Sequence, residues 1–506
     1  MLARMRSIAI TGIDAVPVDV ELDHTFGVPA ERLVGLPDKA VQEALDRVKS
    51  AIRNCDYDYP TNRRLVFSLA PAELKKEGSL YDLPLALATL AASEQLRIAE
   101  PGNYLILGEL SLGGGLRPIR GALAAAIAAK QTGMDGIVLP LANAAEAAAV
   151  AGIRVIGVAT LPEAVGFFAG SWTPPAVEIG GNAPEPELRL CYSDLRGQEA
   201  VKRAMLVAAA GSHHCLLMGP PGSGKTMAAQ RLPSILPPLT LAESLDTTKI
   251  HSVVGEIRPG QGLMRVRPFR APHHNASIPG LIGGGTIPRP GEISLAHNGV
   301  LFLDEAPEFP RQLLETLRQP LEDGAITISR ASGSGTFPAR IILILSMNLC
   351  PCGRRGDPRR ACRCSQTQIA AYAGKISGPL LDRIDLHVEV PPVPHDRLLE
   401  KRGGETSGQM AEWVTAARKI QERRFPGRST PVNAAMTPED VERHCRLGRD
   451  GEEILRTVVN DYGLSARAYG RILKVARTVA DLNGESDIGV EHLLEAVQYR
   501  RTDDGR

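Results

Sequence analysis

No run in this 506-residue chain approaches the roughly 18 apolar residues of a membrane-spanning helix. The opening segment MLARMRSIAITGIDAVPVDVELD also lacks an apolar stretch long enough for a secretory signal core. These absences argue against a membrane partner and set the expectation of a cytoplasmic protein. An excess of one charge is missing too: 58 Lys and Arg face 57 Asp and Glu, so any nucleic-acid surface has to come from local clustering. There is no internal repeat of solenoid period, and no low-complexity tract beyond two linker-like stretches. Cysteine is scarce, at eight residues, and unevenly spread: Cys55, Cys191, Cys215 and Cys445 stand alone, while the other four crowd between 350 and 364. In a reducing compartment such clustering favours metal over disulfides. What remains is an ordinary globular composition, 43% hydrophobic and 23% charged, on a chain too long for one core, which predicts three or so domains.

Texture divides the chain. From about Ser7 to Ala169, short apolar runs (LVFSLA, NYLILGELSL, GIVLP, IRVIGV) alternate with Ala/Leu-rich helical stretches, which reads as an α+β domain over 1–172. The Pro-, Gly- and Glu-rich stretch GSWTPPAVEIGGNAPEPEL cannot bury enough apolar surface to offset chain ordering, so a linker is expected over 173–189. Buried-type strands alternating with helices over 190–393 predict a parallel α/β sheet covered on both faces. Beyond the loose LEKRGGETSGQ, residues 394–506 read as a helical domain. One of its helices opens at TPEDVERHC with Thr437 as N-cap, Pro438 at the first position and Asp440 near the capping-box place.

The chemistry starts at CLLMGPPGSGKTMAAQ, an apolar strand, then Gly219, Pro220, Pro221, Gly222, Ser223, Gly224, Lys225 and Thr226, then a helix. This satisfies G-x-x-x-x-G-K-[ST] in its required context. The glycines let backbone N–H groups wrap a phosphate, Lys225 neutralises phosphate oxygens, and Thr226 offers a hydroxyl to Mg²⁺. A chance glycine-rich turn is the competing reading. Further on, NGVLFLDEAPEF ends a second apolar strand in Asp304, which fits the other Mg²⁺ contact, and Glu305, which fits the base that orients the attacking water. A third strand, ARIILILSMN, places Asn348 at the same sheet edge, to position the water or sense the terminal phosphate, or else merely to cap the strand.

RPFRAPHHNASIPGLIGGGTIPRPGEISLAHNGVLFLDEAPEF, with the upstream DLRGQ, the downstream SGPLLDRIDLHVEV and the late LSARAYGRILKVARTVADL, resembles the magnesium-chelatase-like AAA+ ATPases. Within them it looks like the ComM/YifB branch, over nearly the whole chain. The resemblance implies a P-loop AAA+ sheet with a helical C-terminal lid, ATP and Mg²⁺ as cofactors, and Gln198 of DLRGQ among the nucleotide-site residues. It also implies that Arg383 is an arginine finger reaching a neighbouring subunit's γ-phosphate and that Arg467 is the lid's sensor arginine, with Arg471 one turn later as the alternative. A finger supplied in trans requires a ring, and the family expectation is a homo-hexamer. KKEGSLYDLPLALATL and GELSLGGGLRPIRGALAAAIAAKQTG resemble segments of the Lon-type protease domain. Alignment puts Leu80 at its serine position and Leu123 near its lysine position, and neither can act as nucleophile or base. Ser79 is one residue away, with Lys76 and Lys130 too far to serve it, so the domain is expected to be degenerate, kept for interaction or assembly, and not an active protease.

Two functions follow from the resemblance: a hexameric DNA helicase or branch-migration motor acting on single-stranded or branched DNA during natural transformation, or a chelatase-type remodelling ATPase. The Lon-like domain and the cysteine cluster favour the first. Arg265 and Arg267 in RPGQGLMRVRPFR, and Arg330 in the hairpin-like AITISRASGSGTFPAR, are candidate phosphate contacts, or else ordinary loop arginines. Few aromatics lie there, so base stacking is not supported. His273 and His274 are adjacent and expected to point apart, in a structural or interface role. Finally, NLCPCGRRGDPRRACRCSQ supplies Cys350, Cys352, Cys362 and Cys364 as two Cys-x-Cys pairs, the four thiolates of a closed Zn²⁺ site, though the pairs are tighter than the common spacing. Free thiols and a redox disulfide pair are the rivals. Between the pairs, Arg354, Arg355, Arg359 and Arg360 face a single acid, Asp357, a composition suited to DNA phosphate or simply to solvent and a neighbour's acids.

Overall fold

The computed structural model describes residues 2–99, 103–177, 190–285, 288–330, 333–357, 360–393, 404–462 and 465–500. Most of the expected linker, the stretch 394–403 and Arg359 lie outside the described residues.

The N-terminal part is built on a seven-stranded sheet in the order Ala30–Val34, Arg64–Ala70, Asp14–Thr25, Leu2–Thr11, Tyr104–Ile106, Gly136–Pro140, Arg154–Val158. Leu2–Thr11 and Asp14–Thr25 form an antiparallel hairpin with Thr11 opposite Asp14. The two-residue turn between them starts at Gly12, whose φ of 66° belongs to the left-handed region that such turns need. From Tyr104 to Val158 the pairing is parallel, so the sheet is mixed and its second half is of α/β type. Helix Lys39–Asn54 is capped by Asp38, whose carboxylate accepts from the Val41 N–H at 2.8 Å, and it buries Val41, Ala44, Val48, Ala51 and Ile52 at helical spacing. Helix Asp82–Ala92 is almost wholly buried, with Asp82 paired to Arg47, and helix Ala122–Gln131 buries its alanines and Leu123 up to its exposed last two residues.

The central sheet has five parallel strands in the order Phe269–Arg270, Val300–Leu303, Ile342–Met347, Cys215–Met218, Leu386–Glu389. The first strand in sequence, Cys215–Met218, sits between the fourth and the last, so the chain leaves the sheet in opposite directions on its two sides. That is where an open α/β sheet forms a ligand crevice. Val300–Leu303 and Ile342–Met347 are entirely buried, which explains their uninterrupted apolar character. The segment around Arg265 does not end as a free loop: it runs into the edge strand Phe269–Arg270.

The C-terminal helices Ser407–Arg424, Pro438–His444, Arg449–Tyr462, Ala466–Asn483 and Val490–Gln498 share one apolar core with helix Glu199–Gly211 of the central part. Arg418 and Gln421 donate to the carbonyls of Ala209 and Ala210 at 2.7 and 3.1 Å, satisfying the open end of that helix. Thr437 caps its helix as expected, in a capping box with Asp440 behind Pro438. The N-terminal part rests on helix Leu241–Val254 and on the hairpin Ala325–Arg330/Gly333–Pro338. Gly121 N–H donates to Ser252 O at 3.1 Å, Lys249 pairs with Asp14, and the Phe337 ring approaches Gly12. No described helix is long and apolar enough to cross a membrane.

Candidate active site

Strand Cys215–Met218 delivers the chain to Gly219, where a Cβ would collide with the carbonyl of Val390, so only glycine passes the end of the adjoining strand. Gly224, at φ 100°, then turns the backbone into helix Lys225–Arg231. Lys225 is 8% exposed, and its ammonium donates to the carbonyls of Gly219 (2.7 Å) and Pro220 (3.0 Å) and to Oδ1 of Asn348 (3.3 Å). Burial lowers its pKa, partly opposed by Asp304 and Glu305. The ammonium is thus held inside the loop by neutral acceptors that phosphate oxygens can replace. Thr226 Oγ1 donates to Asp304 Oδ2 at 2.8 Å, bringing together the two groups expected to hold Mg²⁺. Gln198, buried, donates to Ser223 O at 2.9 Å and to Pro391 O at 2.6 Å, tying the loop to the end of strand Leu386–Glu389. Ser223 Oγ is buried without a hydrogen-bond partner among the described residues, as a loop shaped around a polar ligand would leave it.

Asp304 and Glu305 are set by a residue that sequence reasoning missed. Ser346, buried in strand Ile342–Met347, donates its hydroxyl to Asp304 Oδ1 and accepts the Glu305 N–H at 3.1 Å. Its only signal was a hydroxyl interrupting the apolar run LILSMN. Glu305 has φ 52°, an unfavourable conformation for a side chain with a Cβ, and its carboxylate is exposed at the sheet edge.

Arg383 lies elsewhere. It is 5% exposed, donates to Pro379 O at 2.6 Å, and is ion-paired with Glu322 of the same chain. Its carbonyl accepts from Arg471 at 2.8 Å, and Arg471 is also ion-paired with Asp385. Burial by itself would raise the Asp385 carboxyl, but the His213 hydrogen bond and the Arg471 charge hold it well below the usual carboxylate range. Arg471 therefore joins lid to sheet, whereas Arg467, one turn earlier, is exposed with no ion pair among the described residues.

The basic candidates divide. Arg265 and Arg330 are exposed. Arg267 is not available to an outside phosphate: its guanidinium pairs with Glu243 at 2.9 Å and donates to Pro237 O and Asn298 O at 2.7 and 2.8 Å, pinning the entry to the edge strand. His273 and His274 do not point apart. Their rings lie 4.0 Å apart, because the segment is a turn in which successive side chains can stack. In the N-terminal core, Leu80 and Leu123 are buried among apolar neighbours; Ser79 donates to the Glu109 carboxylate and Lys76 to Pro71 O.

The four clustered cysteines converge, with all four sulfurs within 4.8 Å of one another. Cys350 Sγ lies 3.4 Å from Cys352 and 3.6 Å from Cys362, and Cys352 Sγ lies 3.7 Å from Cys362. Arg354, Arg355 and Arg360 are exposed on the loop between the pairs.

Comparison with known proteins covers the chain in three pieces. Residues 191–398 match the family described as magnesium chelatase, subunit ChlI; residues 20–143 match the one described as subunit ChlI of Mg-chelatase; and residues 404–500 match the ChlI C-terminal family. The chain is 44% identical to competence protein ComM of Haemophilus influenzae, over 99% of this chain and 97% of that protein. It is 42% identical to YifB of Salmonella typhimurium (99% and 97%) and 42% identical to YifB of Escherichia coli (98% and 96%).

Proposed function

The chain belongs to the magnesium-chelatase-like AAA+ ATPases that include ComM and YifB, and from that premise we propose that it is a hexameric, ATP-driven DNA motor. In this reading it acts as a helicase or branch-migration enzyme on single-stranded or branched DNA in the recombination that follows natural transformation. The observation that carries the ATPase chemistry is the convergence of Lys225, Thr226, Asp304 and Asn348 at one edge of a parallel sheet. Lys225 neutralises the phosphates of ATP, Thr226 and Asp304 hold Mg²⁺, and Glu305 takes the proton of an attacking water that Asn348 helps to place. When bound, Mg²⁺ supplies charge neutralisation at the phosphates. Zn²⁺ at the four-cysteine cluster completes the cofactor set. Full-length similarity to a competence protein, with Arg265, Arg330, Arg354, Arg355 and Arg360 all exposed, supports DNA as the partner. Arg383 completes a neighbour's site once it has left Glu322, and Arg467 is the free lid arginine.

The chelatase-type remodelling reading keeps one observation in its favour. The N-terminal part itself matches a family described as a Mg-chelatase subunit, so its presence does not separate the two. The deciding experiment is the ATPase rate of the purified chain alone, with single-stranded DNA, with forked DNA, and with a porphyrin-chelatase partner. Stimulation by DNA together with ATP-dependent displacement of a labelled strand is expected. Stimulation by the chelatase partner alone would overturn the motor.

A further inference from the structure

The four-cysteine loop touches more than solvent. It follows directly from Asn348, which accepts from Lys225, and it folds back onto the phosphate loop. Gly353 is buried at φ 72°, and a Cβ there would lie 2.8 Å from Cγ of Pro221 and 3.1 Å from its Cδ. Gly356, at φ 82°, would place a Cβ 3.1 Å from Leu349 and 4.0 Å from Pro220. The two prolines offer rigid rings without N–H groups, so this contact is purely one of shape.

The sulfur positions fit a metal. A tetrahedral Zn²⁺ with bonds of about 2.3 Å sets its sulfurs about 3.8 Å apart. The three sulfur separations above, 3.4 to 3.7 Å, are close to that edge and far from a covalent bond. The Arg355 N–H donates to Cys350 Sγ at 3.3 Å, the kind of outer contact that orients a thiolate ligand. Charge argues the same way. Residues 350–364 hold five arginines against one acid, whereas Zn²⁺ with four thiolates is a net dianion that relieves their repulsion. With four neutral thiols, the stretch CPCGRRGDPRRACRC would have few apolar anchors among its described residues, chiefly the buried Cys350 and the glycine contacts with the phosphate loop.

We propose that Cys350, Cys352, Cys362 and Cys364 bind one zinc ion that makes the loop a clamp on Pro220 and Pro221, so that nucleotide affinity depends on zinc. The clamp rests on the ATPase reading and acts on the same phosphate loop. It meets the phosphate loop at Pro220 and Pro221, while Gln198 holds the same loop further on by tying Ser223 to Pro391. Lys225 donates to the carbonyls of Gly219 and Pro220, so a shift of Pro220 moves the cation that meets the phosphates.

The test uses the full chain. Elemental analysis is expected to give about one Zn per chain. Titration with a fluorescent ADP analogue in excess Mg²⁺, before and after a zinc-selective chelator, is expected to show a Kd raised about tenfold or more, restored by added Zn²⁺. Gly353→Ala keeps all four thiols and is expected to retain zinc while weakening nucleotide binding. Cys352→Ser is expected to lose both zinc and affinity; should it fail to fold, the chelated wild-type protein, checked by circular dichroism, carries the same test. Zinc-loaded protein whose Kd is unchanged on chelation would overturn the clamp and leave the zinc site standing. Protein purified without metal and binding nucleotide normally would overturn both. Wild-type protein that binds no nucleotide with zinc in place would overturn the ATPase reading beneath them.

Discussion

Replacing Ser346 with alanine removes one buried hydroxyl and no charge, yet it disturbs both acids at the sheet edge. The hydroxyl donates to Asp304 and accepts the Glu305 N–H at 3.1 Å. Glu305 needs that anchor, because its φ of 52° costs about 1–2 kcal/mol relative to ordinary backbone. The bond that anchors Glu305 runs from its neutral backbone N–H and contributes about 0.5–1.5 kcal/mol, so its loss is expected to slow turnover by a factor of about 2 to about 13, with the charge-assisted bond to Asp304 lost beside it. Lys225 and Thr226 do not contact Ser346, and nucleotide binding is expected to stay within about threefold of wild type by the same conversion. Steady-state phosphate release gives kcat, and titration with a fluorescent nucleotide gives Kd. An unchanged kcat in folded Ser346→Ala protein, or an equal loss in both quantities, would refute the positioning role.

Glu305→Gln is expected to bind ATP and assemble but not turn over, whereas Lys225→Ala weakens binding itself; parallel loss of binding in Glu305→Gln would count against the base. Arg383→Ala protein is expected to be inactive alone and to recover part of its ATPase when mixed with Lys225→Ala protein, because each completes a composite site for the other. Mixed rings without any recovery would exclude a finger in trans. Changing Arg354, Arg355, Arg359 and Arg360 to alanine together is expected to weaken single-stranded DNA binding at every sequence and to flatten its salt dependence by about 0.7 log units for each phosphate no longer neutralised. An unchanged slope sinks the DNA role of this loop.

The features legible in the sequence were the local ones. The strand-loop-helix at Gly219–Thr226, the capping box at Thr437 and the hairpin after Ala325 each declare themselves within a few residues, through glycine placement, side-chain oxygen chemistry and alternation. Partners distant in sequence were hidden. Arg267 read as a loop cation because its partner Glu243 lies 24 residues upstream, on a helix that folding brings alongside. Ser346 went unread in its apolar strand, because only the parallel register sets it beside Asp304. Arginine clusters alone cannot tell an exposed phosphate contact from a cation that staples two elements, since both need the same residue.

Arg383 shows how much such a long-range partner changes. For it to serve a neighbouring subunit's phosphates, as the proposed ring requires, it has to leave Glu322, which is 61 residues away in sequence and itself half exposed. In the proposed exchange one anion would replace another, so the guanidinium would keep a countercharge throughout. The backbone at Arg383 stays tied throughout by Arg471 of the lid, which also grips Asp385 two residues on. In the proposed ring, Arg471 would couple the C-terminal helices of one chain to the segment that carries Arg383. Arg471, four residues from the exposed Arg467, ties the C-terminal helices to the Arg383–Asp385 segment, and on the proposed reading that tie is the link between one nucleotide site and the next.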